Sequence, residues 1–405
     1  MRSRLQHQAW MSVMCRLLLN AALALAVILV PSIVVTQLVQ AQTFTVFHAF
    51  RCSPNDGQSP SAGFVRDAAG NFYSTTALGG TDNQGTVYKL SKTGKKTVLY
   101  SFSGSDGARP AAPVVRDAAG NLYGTTQQGG ASGFAGTVFS LDKTGKETVL
   151  YSFTGWADGY FPSGALVRDD AGNLYGTTLE TSLPPYAGTV FKVDTNGKES
   201  VLYSFTGASD GGIPWAGVIR DKTGSLYGTT QIGGNYGAGT VFTLDTAGKE
   251  TVLYSFAGGV DGASPGAVLL RDPPGNFYST TISGGTSGFG TVFKLDKTGK
   301  ETVLHSFAGD MDGAYPYESG LVRDAAGNLY GTTYYGGGTG CGGSGCGTVF
   351  EVDPSGKETV LYRFTGGTDG SAPLVGLYRD RAGTLYGTTT SAGAYGCGTV
   401  FRLIP

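Results

Sequence analysis

The most regular feature of the sequence is a four-part alternation of apolar and polar positions that recurs along the chain. In one unit this alternation predicts short strands at 112–116, 121–126, 137–142 and 147–153. Turns that contain glycine separate these strands, and no helical period follows the N-terminal segment. The pattern therefore predicts an all-β protein with four strands in each unit.

Internal repetition is the strongest signal in the chain. The string RDAAGNLYGTT occurs at 116–126 and 323–333, and five degenerate copies bring the total to seven. Three further markers also occur seven times: Gly-Thr-Val before an aromatic residue, a TVLYSF-like strand, and Asp-Gly followed by Pro three residues after the Gly. From residue 42 onward the chain has 364 residues, which is seven times 52. Four strands in about 50 residues is the period of a β-propeller blade.

The phase of the repeat predicts how the propeller is completed. The repeating region opens at 45–50 with TVFHAF, a fourth strand that has no unit before it. It ends at 398–403 with GTVFRL, a third strand that has no fourth strand after it. Pairing the two would complete the seventh unit and remove two free sheet edges. We therefore expect a seven-bladed β-propeller of four-stranded blades, its ring closed by the N-terminal strand pairing with the C-terminal blade.

The repeat unit LYGTT…GG…GTVFKLD…TGKETVLYSF resembles the Gloeo/Verruco (GloVer) tandem repeat of bacterial surface and secreted proteins. The resemblance covers nearly all of residues 43–404. It implies a repeat architecture and an extracellular address, and it implies no activity. Proteins of this kind often carry a variable C-terminal anchor, whereas this chain ends at Pro405, so attachment through the C-terminus is not expected.

The N-terminal segment has the layout of a secretory signal peptide. Three arginines accompany an apolar stretch at 17–35, and Val39 and Ala41 occupy the −3 and −1 positions of a cleavage site. We therefore expect a signal peptide at 1–41 and the propeller at 42–405. The alternative is an uncleaved membrane anchor, because the apolar stretch is nearly long enough to span a bilayer.

Composition and charge narrow the function classes. The 67 glycines follow no Gly-X-Y period, which excludes collagen, and 40% hydrophobic residues argue against disorder. The net charge is −1, and loss of the three N-terminal arginines would make it −4. Nucleic-acid binding is therefore not expected. We expect a monomer in the extracellular or periplasmic space of a bacterium, with no membrane span in the mature chain.

Residues suited to catalysis are scarce. His48 and His305 both occupy a slot that other units fill with tyrosine, so they are interpreted as packing residues. Glu180 and Glu318 depart from the repeat, and a glycosidase would need them about 5–10 Å apart. We assign no catalytic residue, metal site or cofactor. A propeller enzyme, a hydrolase or lyase acting on a polysaccharide or a small molecule, remains the alternative.

Charged residues that recur in every unit are interpreted as parts of the fold. The Arg-Asp pairs are expected to bridge blades or cap turns, and the lysines near each Thr-Gly-Lys turn to form a solvated rim. A metal ring is the less favoured interpretation of the Asp-Gly turns, whose aspartates are Asp56, Asp106, Asp158, Asp210, Asp261, Asp312 and Asp369.

Aromatic residues that break the repeat gather on loops after the second and fourth strands, which share one face of the ring. Exposed Tyr and Trp rings make good contact surfaces, although some of these could fold inward and fill the central mouth. We therefore expect a non-enzymatic binding module, with a glycan or another surface protein as its partner. A purely structural surface protein is the further alternative. The predicted ligand-binding residues are Trp156, Tyr160, Trp215, Tyr236, Tyr315, Tyr317, Tyr334, Tyr335 and Tyr395.

The four cysteines after the N-terminal segment are expected to form disulfides, as is usual in secreted proteins. Cys52 follows the N-terminal strand and Cys397 precedes the last strand, so their pairing would join the two ends of the ring. Cys341 and Cys346 would then form a local bridge in an enlarged loop. A four-cysteine zinc site and a Cys346–Cys397 pairing are the alternatives.

Overall fold

The computed structural model describes residues 42–405, which form seven antiparallel four-stranded sheets and almost no helix. The predicted seven-bladed β-propeller is confirmed. Blade 1 contains β2 (Val65–Arg66), β3 (Phe72–Thr76), β4 (Thr86–Leu90) and β5 (Lys96–Ser101). Blades 2 to 4 contain β6 (Val115–Arg116), β7 (Leu122–Thr126), β8 (Thr137–Leu141), β9 (Glu147–Ser152), β10 (Val167–Arg168), β11 (Leu174–Thr178), β12 (Thr189–Val193), β13 (Glu199–Ser204), β14 (Ile219–Arg220), β15 (Leu226–Thr230), β16 (Thr240–Leu244) and β17 (Glu250–Ser255).

The remaining blades follow the same plan, with one extra short strand in the fifth. Blade 5 contains β18 (Ala263–Pro265), β19 (Leu270–Arg271), β20 (Phe277–Ser283), β21 (Thr291–Leu295) and β22 (Glu301–Ser306). Blade 6 contains β23 (Val322–Arg323), β24 (Leu329–Thr333), β25 (Thr348–Val352) and β26 (Glu358–Arg363), with a short 3₁₀ helix at Cys341–Gly343. Blade 7 contains β27 (Tyr378–Arg379), β28 (Leu385–Thr389), β29 (Thr399–Ile404) and β1 (Thr43–Ala49).

The first and last strands of the described chain lie side by side. β1 pairs with β29 in antiparallel register, with Thr43 opposite Ile404 and Ala49 opposite Thr399. The N-terminal strand is therefore the outer strand of blade 7. The predicted signal peptide, 1–41, lies outside the described residues, and its boundary stays a prediction.

The innermost strand of each blade is shorter than the alternation predicts. In blade 2 the expected strand 112–116 is reduced to Val115–Arg116, and the inner strands of the other blades are also two residues long. In blade 2 Pro113 lacks a backbone N–H, and in four other blades this position is a glycine: Gly63, Gly217, Gly320 and Gly376. The two residues that do pair fix the start of the blade, and the residues before them are free to line the centre of the ring.

The core lies between the blades, because each sheet packs both faces against its neighbours. Val138 and Phe139 point to opposite sides of β8, and both are fully buried. Burying each such side chain contributes about 1.5–3 kcal/mol. Val138 and Phe153 of blade 2 share one cluster with Phe191 of blade 3, and each of the other clusters likewise joins two adjacent blades.

Recurring polar residues hold the repeat together, as predicted. The guanidinium of Arg116 lies over the ring of Tyr73 in the preceding blade, and Asp117 accepts a hydrogen bond from Tyr123. Asp158 accepts hydrogen bonds from the backbone N–H of Thr154 and the hydroxyl of Tyr151. These two bonds make Asp158 the cap of the turn that contains it. The Arg-Asp pairs therefore join blades and turns.

Candidate functional site

The chain turns toward the propeller axis at one proline in each unit. The residue before each of these prolines has a left-handed backbone conformation, with φ between 53° and 56°. This repeated turn is architectural, because all seven units share it. The residue after the proline then lies near the axis, and at this position the units differ most: Ser61, Ala111, Ser163, Trp215, Gly266, Tyr317 and Leu374.

The sixth unit contains one residue more than the others in this segment. From the proline to the conserved arginine there are seven steps in that unit, Pro316 to Arg323, and six in every other unit. The extra length accommodates Glu318. The backbone N–H of Glu318 donates to the carbonyl of Leu374 at 3.2 Å, and Glu318 forms a parallel bridge with Val375 of the next blade.

Two adjoining cavities occupy the centre of the ring. The axial cavity, about 250 Å³, is lined mainly by small residues of the inner segments, including Gly164, Gly217, Gly320 and Gly376. These segments approach closely: a Cβ on Gly217 would lie 2.1 Å from the carbonyl oxygen of Ala165.

The mouth cavity, about 550 Å³, opens on the face formed by the loops after the second and fourth strands, here named the loop face. Trp215 and Glu318 line both cavities and lie where they meet. The mouth cavity is lined by Ser59, Ser61, Trp215, Gln231, Ile282, Tyr317, Glu318, Tyr334, Tyr335, Leu374 and Thr390.

Trp215 and Glu318 are hydrogen-bonded to each other. The indole Nε1–H of Trp215 donates to Oε1 of Glu318 at 2.5 Å. Burial raises the pKa of Glu318 to about 7, and the hydrogen bond from Trp215 opposes that rise. The side chain is partly exposed, and it lines the two cavities. Glu318 is therefore a carboxyl group that changes charge near neutral pH inside a cavity.

Four tyrosines form one aromatic cluster at the mouth. Tyr317 and Tyr334 meet edge to face with ring centroids 5.2 Å apart, and Tyr334 meets Tyr335 at 4.6 Å. Tyr315 stacks near Tyr317 at 6.2 Å and lies outside the cavity lining. Mutual packing of the rings holds each one in a defined orientation.

Several polar groups around the mouth have no partner within residues 42–405. The hydroxyls of Tyr317, Tyr334 and Tyr335 and the side-chain amide of Gln231 form no hydrogen bond there. Ser61 is buried, and its Oγ is a buried oxygen without a hydrogen-bond partner. Buried polar atoms are normally hydrogen-bonded, so the unpaired Oγ of Ser61 is unusual, whereas the tyrosines and Gln231 are partly exposed and can bond water.

The predicted ligand-binding residues fall into two groups. Trp215, Tyr317, Tyr334 and Tyr335 line the mouth cavity, and Tyr315 packs behind them. The other four line neither of the two central cavities: Trp156, Tyr160, Tyr236 and Tyr395. Trp156, Tyr236 and Tyr395 are exposed on separate loops, and their binding role stays a prediction.

Glu180 and Glu318 are not brought together as a pair. Glu180 accepts a hydrogen bond from Tyr160 at 2.5 Å and lines neither central cavity. Sequence reasoning noted Glu318 as a departure from the repeat but did not place it in the site, and it missed Ser61 and Gln231. The available signal was the extra residue in unit six, together with the variable position after each proline.

The histidines occupy the strand slots that were predicted for them. Nε2 of His48 lies 3.1 Å from Oδ1 of Asp56, and Nε2 of His305 lies 3.4 Å from Oδ2 of Asp312. Each pair replaces a tyrosine–aspartate contact of other blades. In the part of the chain that the structure describes, no group of three or more His, Cys, Asp or Glu side chains could hold a metal ion. Residues 42–405 also contain no helix long and apolar enough to cross a membrane.

The predicted disulfides are present. Cys52 is bonded to Cys397, with 5.5 Å between their Cα atoms, and this bridge lies beside the pairing of β1 with β29. Cys341 is bonded to Cys346 within the blade 6 loop. The Cys346–Cys397 pairing and the four-cysteine zinc site are therefore wrong.

A family model supports the resemblance read from the repeat unit. Residues 32–223 match the model described as the Gloeobacter/Verrucomicrobia repeat. No curated protein matches the chain.

Solved structures share the propeller fold at low sequence identity. The extracellular domain of a protein assigned as a hybrid two component system from B. thetaiotaomicron has a TM-score of 0.54 and 11% identity, covering 86% of this chain and 39% of that chain. The extracellular domain of an assigned one component system from the same organism has a TM-score of 0.54 and 13% identity, covering 90% and 42%. The chain thus spans about two fifths of the length of these neighbours, and the likeness shows the fold alone.

A gluconolactonase from Xanthomonas campestris has 14% identity and covers 89% of both chains, with a TM-score of 0.45. That similarity is too low to carry an argument about function.

Proposed function

For a propeller that carries the Gloeobacter/Verrucomicrobia repeat, we propose a function as an extracellular or periplasmic binding module that holds a sugar residue in the mouth cavity. The observation that carries this proposal is the convergence of aromatic rings and unpaired polar atoms around one open cavity of about 550 Å³. Binding sites for small molecules commonly have this size and this mixture of apolar walls and a few polar groups.

The chemistry of the cavity wall suits a sugar. The rings of Trp215, Tyr317 and Tyr334 offer flat apolar surfaces to the carbon face of a pyranose. Ser61 and Gln231 line the same cavity and offer hydrogen-bonding groups to sugar hydroxyls. A ligand hydroxyl that bonded Ser61 would satisfy its buried Oγ, and one that bonded the partly exposed Gln231 would replace water.

The proposed location follows from the covalent structure and the sequence. Disulfides persist in oxidising compartments, and the described chain carries two of them. The expected signal peptide at 1–41 agrees with such an address. The solved neighbours named above are extracellular domains of bacterial proteins, and the same location is proposed here.

The exposed aromatic residues away from the axis extend the proposal to a longer chain of sugars. Trp156 is 60% exposed and Tyr236 is 68% exposed, each on its own loop of the ring. Loops on a rigid scaffold are common places for contact residues. A polysaccharide that entered the mouth with one unit would meet such rings with the units that follow.

A second candidate function is favoured by one observation, the carboxyl of Glu318. A pKa of about 7 inside a cavity suits a group that accepts a proton from a bound substrate, as in a lyase. A hydrolase with paired carboxylates is not supported, because no second carboxylate lines either cavity among the described residues.

A saccharide panel tests both candidates in the same mixtures. The mature protein is titrated with short oligosaccharides by calorimetry, and the mixtures are then analysed for products. Saturable binding without products supports the binding module, and release of unsaturated products supports the lyase. If no saccharide is bound at millimolar concentration, the structural-scaffold alternative is the better account.

A further inference from the structure

The two central cavities share a single charged residue. Glu318 lines both of them, and no Lys, Arg or His side chain lines either one within residues 42–405. Among the described residues, the carboxylate of Glu318 is therefore the one charged group in the lining of these two cavities, and it determines the electrostatic potential there. This arrangement disfavours acidic ligands such as uronic acids, because they would bring a second negative charge with nothing to balance it.

The carboxylate of Glu318 has no counter-ion of its own. Its side chain forms one hydrogen bond in the described chain, from the neutral indole of Trp215, and it takes part in no ion pair there. A carboxylate that is only partly exposed to water is stabilised by an opposite charge at hydrogen-bond distance. A cationic group on a ligand would supply that missing charge.

The walls next to this carboxylate are aromatic. Trp215, Tyr317, Tyr334 and Tyr335 line the same cavity as Glu318. The faces of such rings attract cations, and several rings around one site reinforce each other. An ammonium group beside Glu318 would therefore meet a favourable charge in a cavity whose wall is rich in aromatic rings.

We propose that the mouth cavity selects a sugar that carries a protonated amine, an amino sugar, and places its ammonium group against Glu318. This inference rests on the proposed function, since it names the class of sugar that the mouth takes. The hydroxyls of the same sugar bond Ser61, Gln231 and the tyrosine hydroxyls, and its ring lies against the aromatic wall.

The first test compares three probes of equal length: glucosamine oligomers, their N-acetylated forms, and glucose oligomers. At about pH 7, where substantial fractions of both the sugar amine and Glu318 are charged, the wild-type protein should bind the free-amine form at least about tenfold more tightly than the other two, since hydrogen bonds to charged groups are the stronger ones. Glu318→Gln keeps the side-chain shape and should abolish this preference while retaining weak binding of all three probes.

Glu180→Gln is the matched control. Glu180 is a carboxylate in the loop after a second strand, hydrogen-bonded to one aromatic residue, and it lines neither cavity. Its substitution should leave the preference intact. Equal loss of preference in both variants would show a general charge effect and would overturn the assignment to Glu318.

The second test uses tetramethylammonium, whose charge does not depend on pH. Its affinity should rise between about pH 5.5 and pH 8.5 as Glu318 ionises, and it should stay constant in Glu318→Gln. The other titratable groups lining the two cavities are the phenols of Tyr317, Tyr334 and Tyr335, and burial raises the pKa of Tyr317 and Tyr334 above the ordinary phenol value near 10.

The outcomes separate the two proposals. Equal binding of free-amine, N-acetylated and neutral sugars by the wild-type protein would overturn the amino-sugar inference and leave the proposed sugar-binding function standing. Retention of the preference in Glu318→Gln would also overturn the inference. Failure to bind any of the three sugars would overturn the proposed function itself, and with it the inference.

Discussion

The indole nitrogen of Trp215 donates a hydrogen bond to the carboxylate of Glu318 at 2.5 Å, although the two residues precede the inner strands of the fourth and sixth blades. The contact therefore spans the mouth and skips the fifth blade, so a carboxyl group and a large ring are fixed at the junction of two cavities. The site depends on this pair more than on any residue that the blades share.

The pair predicts how Glu318 should titrate. Because the hydrogen bond from Trp215 lowers a pKa that burial raises to about 7, Trp215→Phe should move the pKa of Glu318 further upward. Carboxyl-labelled NMR measures the value directly. Trp156→Phe is the control and should leave it unchanged. A lower pKa in Trp215→Phe would show that lost burial, rather than the lost donor, dominates.

Removal of the N-terminal strand tests how the ring is held. Phe44 on β1 stacks on Tyr362 with centroids 3.8 Å apart and joins the cluster between blades 6 and 7. Deleting 43–50 should expose the edge of β29, reduce secretion and lower the Tm. The milder Phe44→Ala should lower the Tm by less, and Lys143→Ala on an exposed turn should do nothing. An unchanged Tm after the deletion would contradict ring closure by β1.

The two disulfides should differ in their effect on stability. Cys52–Cys397 spans 345 residues and Cys341–Cys346 spans 5. In the chain-entropy account the long loop gives about 6 kcal/mol and the short one about 2 kcal/mol. Replacing Cys52 and Cys397 with serine should therefore lower the midpoint of urea unfolding more than replacing Cys341 and Cys346. The opposite order would show that the pairing of β1 with β29 already restrains the chain ends without the bridge.

Much of the fold could be predicted because each unit repeats the same pattern of strand and turn residues. The four-strand pattern predicted the seven blades, and the positions of Cys52 and Cys397 beside the first and last strands predicted a disulfide. The site was harder to predict from the sequence, because its residues come from different blades. The repeat period shows which blade holds Trp215. It does not predict how far along the axis the side chain lies, or that it contacts Glu318, 103 positions away.

The seams between blades carry a repeated acid pair that makes stability depend on pH. Glu250 begins the fourth strand of blade 4, its Oε1 is buried without a partner, and it lies near Asp210 of the turn between blades 3 and 4. Burial first, and then the charge of Asp210, raise the pKa of Glu250 to about 7. The same arrangement recurs at Glu147, Glu199 and Glu301, whereas at Glu358 His305 and Arg363 oppose the rise in pKa that burial and Asp312 cause.

A carboxyl group with a raised pKa favours the folded state when it is protonated. Its contribution is fully present below the unfolded pKa near 4.5 and is lost as the pH rises through about 7. Glu250→Gln should therefore raise the Tm at about pH 8 and change it little near pH 4.5. Thermal unfolding at both pH values checks this, and a Tm that falls at pH 8 would contradict it.

Blade 1 shows what happens at this seam when the glutamate is replaced by a lysine. Lys96 occupies the position of the glutamate, and its Nζ lies 3.1 Å from Oδ1 of Asp56. Burial would raise the pKa of Asp56, but His48 and Lys96 lower it to about 2. Glu250→Lys should reproduce this ion pair with Asp210 and raise the Tm at pH 8 at least as much as Glu250→Gln does.

The central claim is that the mouth cavity binds a sugar, and the chain offers a direct reporter of it. Residues 42–405 contain two tryptophans: Trp215 in the cavity and Trp156 on an exposed loop outside it. With ¹⁵N-labelled tryptophan, each indole N–H gives one signal, and Trp156→Phe assigns them. On addition of millimolar glucose or glucosamine, the Trp215 signal should shift and saturate with at least one of the two sugars while the Trp156 signal stays in place. A shift of the Trp156 signal alone, or no shift of either, would contradict the account.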